Sequence, residues 1–240
     1  MKTVRQRRAF AAILRHGSNM ARSRTEPQPT APRLYLLVPV TGAAEEIARL
    51  ADTLTRAGGA VDIAAVLLRT GASDGEASSE RLRPLVEAAH AIGAACLVEG
   101  NTALAGALGA DGAHLDGPDA LRAALPALRP DGIAGVGGLR SRHDAMTAGE
   151  TADYVMFGEP DASGRRPAFD ATLERAQWWA HLFEPPCVAY AATLEEVGAL
   201  VAAGVDFVAV DGLVLDDPVE GARALAAGLG GAMATGAGAG

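Results

Sequence analysis

Lysine is almost missing from this chain: its 240 residues contain Lys2 and no other. Beyond the N-terminal stretch this excludes a Schiff-base lysine, a lysine general base and an ammonium clamp for phosphate. Any anion must be held by arginine, by backbone N–H groups or by a metal. Aromatic residues are scarce as well, 4% against 49% apolar residues overall, so the core is one of Ala, Val, Leu and Ile. Only two cysteines occur, Cys96 and Cys187, each inside a short apolar run. That excludes a disulfide scaffold and suits buried packing in a reduced, cytoplasmic protein. No apolar run approaches the roughly 18 residues of a membrane span.

Charge is unevenly spread. Residues 1–33 carry Lys2 and seven arginines against Glu26 alone, about +7; since the whole chain is at −8, the remainder stands near −15. Such an acidic body is a poor counterion for phosphates in a polymer, so no nucleic-acid partner is expected. The basic leader, residues 1–32, has only the apolar patch Phe10 to Leu14, cut by Arg15 and too short for a secretory core. It reads as a disordered extension or a start assigned too early, with Met20 as an alternative start. The Gly/Ala-rich residues 230–240 have nothing to pack and are expected to be a disordered tail.

Between these ends, residues 33–229 alternate short apolar runs with amphipathic segments about eight times. The runs are Leu34 to Val38, Val61 to Arg69, Ala95 to Val98, Ala113 to Leu115, Ile133 to Val136, Tyr154 to Phe157, Cys187 to Ala191 and Phe207 to Val210. Eight parallel strands with crossover helices predict an α/β fold, a single (β/α)8 TIM barrel. The competing doubly wound sheet lacks a G-x-G-x-x-G after its first strand. Leu82, Leu85, Val86, Ala89 and Ile92 form one helical stripe, and Thr193-Leu194-Glu195-Glu196 reads as a capping box.

Most is told by Gly109 to Asp119. Gly109 stops a helix, Ala113 to Leu115 is a strand, and Pro118 opens the next helix, which puts Asp116 and Asp119 on a loop at the C-terminal end of a strand. His114, inside that strand, reads as a core histidine bonded to backbone; His90 reads as surface or helix packing. Arg140, Arg142 and His143 follow strand five and either line the mouth or make a solvated helix start, the second being the favoured reading. Trp178 and Trp179 face about 100° apart, so one is core and the other marks a possible homo-oligomer contact.

Val66-Leu67-Leu68-Arg69, Gly109-Ala-Asp-Gly-Ala-His-Leu115, Ala152-Asp-Tyr-Val-Met-Phe-Gly158 and Ala203-Gly-Val-Asp-Phe-Val-Ala-Val210, in that order and spacing, resemble the thiamine phosphate synthase and thiazole tautomerase superfamily. The resemblance covers Leu34 to Leu229. It implies an enzyme of thiamine biosynthesis that joins an aminopyrimidine methyl diphosphate to a thiazole phosphate and releases diphosphate, with Mg²⁺ at the departing group.

The resemblance also distributes roles. Of a strand-two Gln-x-Arg-x-Lys for diphosphate, this chain has Leu67, Arg69 and Gly71, so Arg69 alone remains. The metal carboxylates fall on Glu99 and Asp119. A serine after strand five becomes Gly137. The Pro-Thr-x-Thr-Lys after strand six becomes Glu159 to Arg166, where Arg165 and Arg166 replace a lost cation and Ser163 a hydroxyl. The strand-eight phosphate loop becomes Asp211-Gly212-Leu213, with Gly212 at the phosphate.

Each position has a plainer reading too. Arg69 is an anion ligand or an ion-pair partner; Asp119 is a metal ligand or a first-turn acid favoured by the helix dipole. Asp211 beside a phosphate repels it by a few kcal/mol at intermediate dielectric. Two functions follow: a transferase with eroded motifs, or a degenerate family member that binds a phosphorylated ligand or a protein partner.

Overall fold

Eight strands alternate with helices in a computed structural model that describes residues 31–41, 43–70 and 79–235. The leader through residue 30, Gly71 and residues 236–240 lie outside the described residues. The strands are β1 (Arg33–Val40), β2 (Ile63–Thr70), β3 (Ala95–Glu99), β4 (Gly112–Asp116), β5 (Ile133–Gly137), β6 (Tyr154–Phe157), β7 (Cys187–Tyr190) and β8 (Phe207–Val210). Between and after them run α1 (Ala44–Gly58), α2 (Ser79–Ala91), α3 (Thr102–Leu108), α4 (Gly117–Leu128), α5 (Arg142–Gly149), α6 (Phe169–Leu182), α7 (Leu194–Ala202), α8 (Gly212–Leu215) and α9 (Glu220–Thr235). All strands pair in parallel and in chain order, and β8 closes onto β1. The (β/α)8 barrel expected from the sequence is therefore the fold.

Strand alternation sorts the core into two layers. Tyr35, Leu37, Leu67, Leu97, Ile133, Tyr154, Met156, Tyr190, Phe207 and Ala209 point inward and fill the barrel. Their chain neighbours, among them Leu36, Val66, Val98, Val136, Val155 and Val208, point outward against the helices. Continuing the inward series of β2, β3, β4, β5 and β8 by one step past the core lands on Arg69, Glu99, Asp116, Gly137 and Asp211. That ring of positions lies at the C-terminal strand ends, where barrels of this class carry their sites.

Local signals fix the helices. Asn101 caps α3 by accepting the Leu104 N–H at 2.9 Å, and Gly109 ends it at φ +70°, a conformation other residues rarely adopt. Pro118 stands in the first turn of α4, where its missing N–H costs nothing. The capping box expected at Thr193 is half formed: Thr193 Oγ1 accepts the Glu196 N–H, but the Glu196 carboxylate reaches the Ala192 N–H instead. The last helix also corrects an expectation. It continues to Thr235, beyond the start at 230 expected for the tail, because Ala-rich chain holds helix well once Leu225 and Leu229 anchor its face. No helix among the described residues is long and apolar enough to cross a membrane.

Candidate functional site

Adjacent strands bring Arg69 and Glu99 together at the mouth. Arg69 Nε donates to Glu99 Oε1 at 2.9 Å, and Nη2 lies 2.8 Å from the same oxygen. Arg69 is 15% exposed, so this is a sheltered pair and not a loose surface contact. The ion-pair reading of Arg69 is the one realised, and Glu99 is committed to it. Asp119 requires a correction. Its side chain is 94% exposed and pairs with Arg122 one turn on, because β4 spends its last inward position on Asp116 and Asp119 falls on the solvent side of α4. Mg²⁺ asks for one or two carboxylates converging with substrate phosphates. Glu99 tied to arginine and Asp119 turned to solvent do not make that set. Among the described residues no group of three or more His, Cys, Asp or Glu side chains suits a metal.

The corner Gly137-Gly138 after β5 is crowded by polar groups. A Cβ on Gly137 would overlap Glu159 Oε1 and His114 Nε2, and one on Gly138 would overlap Asp116 Oδ1. Glycine is required because three side chains already occupy the space. Glu159 Oε1 accepts the Gly138 N–H at 2.6 Å. Burial pushes its carboxyl up to about 7, opposed by the Gly138 N–H and the Arg69 guanidinium and helped by Asp116. Beneath it His114 is 4% exposed and bonds through Nδ1 to the Tyr154 hydroxyl at 2.9 Å, which lies 2.7 Å from the Tyr35 hydroxyl. A core histidine was expected; its partner is a phenol instead of backbone. Burial, with Arg69 nearby, pulls His114 down to about 3, so it is a neutral imidazole.

Stability should record this arrangement. Between about pH 4.5 and 7 the folded chain keeps a proton on Glu159 that the unfolded chain has lost, so this contribution is present at low pH and is lost as pH rises through 7. His114 works the opposite way between about 3 and 6.5, because the unfolded chain holds the proton that the folded chain has released. Glu159→Gln removes only the first. Its stability relative to wild type should rise from pH 4.5 to 7 by up to about 1.4 kcal/mol per pH unit, measured by urea unfolding across that range. A constant difference would place the Glu159 titration elsewhere.

The β6–α6 loop is tied internally. The Asp161 carboxylate accepts from Ser163 N, Ser163 Oγ and Arg165 N, which draws its own pKa down to about 2, chiefly through the Ser163 hydroxyl. Ser163 thus gives its hydroxyl proton to Asp161 and not to a ligand, a second correction; the short Asp-x-Ser turn is the cause. Arg165 is 84% exposed and donates from Nε to Ser163 Oγ. Arg166 forms a two-point pair with Glu196 at 2.8 and 2.7 Å and lies over the Tyr190 ring. Burial alone would raise Glu196, but the Arg166 and Ala192 donors hold it below the usual carboxylate range. Tyr190 donates its hydroxyl to Asp211 Oδ1 at 2.8 Å, and the same oxygen accepts the Gly212 N–H at 2.6 Å. Gly212 therefore offers its amide to Asp211, a third correction: a capping carboxylate fills the position given to phosphate.

A cavity of about 620 Å³ opens above β5 and β6. Arg140, Arg165, Arg166 and Arg175 line it together with Asp116 and Glu159, and Leu139 and Met156 supply apolar wall. Of the residues singled out from sequence, Asp116, Arg140, Arg165 and Arg166 reach it. Arg69, Glu99, Asp119, Ser163, Gly137 and Gly212 are not among its lining. Glu159 and Arg175 were missed. Glu159 comes one residue after Gly158, the next inward place of β6, so alternation alone would send it outward; the loop instead turns it onto the Gly137-Gly138 corner. Arg175 lies on α6, where nothing in the sequence separates it from a solvated arginine. Elsewhere, His90 bonds Asp111 at 2.8 Å, Trp179 is core, and Trp178 lies under Arg142 on the outer face.

A closed parallel barrel with ionisable side chains gathered at the C-terminal ends of its strands is a TIM barrel of the enzyme type. Comparison with known proteins narrows the class. The family model described as thiamine monophosphate synthase matches residues 37–212, and the chain belongs to that family. It is 40% identical over 201 residues to the thiamine-phosphate synthase of Rhodospirillum centenum, covering 81% of this chain and 94% of that protein. It is 34% identical over 210 residues to the one from Hyphomonas neptunium, covering 83% and 94%. Among solved structures, thiamine phosphate pyrophosphorylase from Pyrococcus furiosus superposes with a TM-score of 0.64 at 18% identity, over 83% of this chain and 96% of that one. Dihydropteroate synthase from Vibrio fischeri, at 0.59 and 12% over 87% and 94%, shares the fold alone. Membership carries a general thiamine-phosphate-synthase-like function in thiamine biosynthesis.

Proposed function

We propose that the barrel mouth is a site for joining an aminopyrimidine methyl diphosphate to a thiazole phosphate, and that its own carboxylates have weakened that reaction. In the transfer a thiazole nitrogen attacks the pyrimidine methylene carbon, the carbon–oxygen bond to diphosphate breaks, and diphosphate leaves with the electron pair. The family and the two relatives support the reaction class. The observation that carries the weakening is Asp211 Oδ1 on the Gly212 N–H at 2.6 Å, an anion already resting where the thiazole phosphate is expected. Arg69 paired to Glu99 adds a second loss, since a guanidinium already neutralised stabilises a departing diphosphate less. The carboxylates expected to hold Mg²⁺ do not converge: Glu99 is paired with Arg69 and Asp119 with Arg122.

The protein is mixed with both substrates and Mg²⁺ at near-physiological substrate levels, beside the Rhodospirillum centenum relative. The expected rate of thiamine phosphate formation is below about a tenth of the relative's, the direction that loss of one charge-stabilising group imposes. Equal rates sink the weakening. A second reading, a barrel without chemistry that binds a phosphorylated ligand or a protein partner, is favoured by Ser163 and Gly212 both being satisfied internally. Thiazole-phosphate binding with no product would support it over the transferase.

A further inference from the structure

One of the chain's two tryptophans lies on the outer wall of the barrel. Trp179 is buried, whereas its neighbour Trp178 is half-buried, with the Arg142 guanidinium 4.9 Å over its ring and Phe183 edge-on at 4.9 Å. Leu182 follows one turn later on α6 and is 67% exposed; Met146, one turn past Arg142 on α5, is 49% exposed. Among the described residues the only other large apolar side chain so exposed is Leu194, which lies elsewhere, at the start of α7. A groove of about 410 Å³ lies between α5 and α6, lined by Arg142, Glu174, Gln177, Trp178, His181 and Leu182. Tryptophan, methionine and arginine are side chains enriched at protein interfaces.

The charges of this face fit a second copy of the chain. The body beyond residue 33 stands near −15, so two bodies repel wherever their acids meet. At the groove the one lining acid, Glu174, is already neutralised by Arg142 at 2.8 Å. Two acidic bodies therefore meet there without setting like charges together. An antiparallel crossing of α6 on its own copy, centred between Gln177 and Trp178, sets Glu174 against His181 and Leu182 against Leu173 on both sides of a two-fold axis. In the same register Asp170 meets Pro185 and Glu184 meets Ala171, so no acid faces an acid. His181 donates from Nδ1 to the Gln177 carbonyl at 2.7 Å, which leaves Nε2 for the other copy. With α6 about 21 Å long and two helices about 20 Å wide, the face offers roughly 400 Å² per copy, about half of a standard interface, so the contact is weak and reversible.

We propose that the chain forms a reversible two-fold dimer through α5 and α6, with Trp178 and Leu182 of each copy packed into the groove of the other. Apolar burial drives the contact, and the neutral Arg142–Glu174 pair removes the repulsion that the acidic bodies meet elsewhere. None of the residues lining this groove lines the cavity over β5 and β6, so the dimer stands or falls independently of the chemistry at the mouth.

Sedimentation equilibrium of the full chain over a concentration series from about 5 to about 500 µM tests it, since a small interface implies a dissociation constant of roughly 10 to 100 µM. The weight-average mass should climb from that of the monomer toward twice that value. Leu182→Glu places an unpaired charge in the contact and should weaken association at least about tenfold. Trp178→Ala, which empties the centre of the face, should do the same. Leu194→Glu, an equally exposed leucine off the face, should leave association unchanged. Leu182 has little packing to lose, so it carries the test if Trp178→Ala fails to fold. Pairing of the basic leader with an acidic body would vanish at about 0.5 M salt, whereas an apolar contact persists there. A chain that stays monomeric throughout the series, a dimer untouched by Leu182→Glu, or association lost in high salt overturns the proposal.

Discussion

Asp211→Gly should bind thiazole phosphate between about ten and a hundred times more tightly than wild type. Two effects add in this variant. A carboxylate within a few ångströms of a phosphate opposes it by a few kcal/mol at intermediate dielectric, and glycine removes that charge. Glycine also frees the Gly212 N–H, which Asp211 Oδ1 accepts at 2.6 Å, and leaves the Tyr190 hydroxyl as a second donor without its acceptor. Asp211→Asn separates the two. An amide oxygen can still take both hydrogen bonds, so this variant removes charge alone and should gain roughly tenfold. The glycine variant gives up a cap on α8, a cost of about 1 kcal/mol that a thermal melt will register. Calorimetry with thiazole phosphate reads the gain. Unchanged affinity in both variants would show that the ligand's phosphate never approaches the β8 turn.

How much of this was readable beforehand follows from the range of each interaction. The strands were legible because each is a local apolar run: Tyr154 to Phe157 and Phe207 to Val210 have the bounds that the sequence suggested. Gly109 and Pro118 were legible for the same reason, since helix ends are written in adjacent residues. Asp211 was legible as an obstacle, because its place beside Gly212 needs no folding to be seen. The Arg69–Glu99 pair was not. The partners are thirty positions apart, and only the register of β2 on β3 makes them neighbours. Asp119 misled because chain spacing ignores direction, and α4 turns that residue outward one helical step after Asp116 points in. Glu159 escaped because the alternation of β6 assigns its next inward place to Gly158, and only the path of the loop turns Glu159 onto the Gly137-Gly138 corner.

Gly135→Ala should destabilise the barrel interior severely. Gly135 lies on β5 opposite Tyr154 on β6, and an added Cβ would overlap the Tyr154 ring and its hydroxyl. The barrel interior has no slack there, so the ring must move, at about 1–3 kcal/mol for overpacking. Movement also breaks contact with the Tyr35 hydroxyl and His114 Nδ1, both buried, and each polar group left without a partner costs about 1–3 kcal/mol more. A total loss of about 3–9 kcal/mol is a large part of the 5–15 kcal/mol typical of a folded domain. Urea unfolding followed by tryptophan fluorescence measures it. Tyr154→Phe supplies the control, because it removes the hydroxyl without adding a clash and should cost only the unpaired-group share. If Gly135→Ala loses less than about 1 kcal/mol, Tyr154 has room to pivot and the polar chain is not under packing control. The consequence reaches the site. His114 turns its other nitrogen toward the Gly137 corner where Glu159 rests, so displacing Tyr154 releases the imidazole that forms the floor beneath that carboxyl. The glycines of β5 thus set, from inside the barrel, where the acids at its mouth can stand.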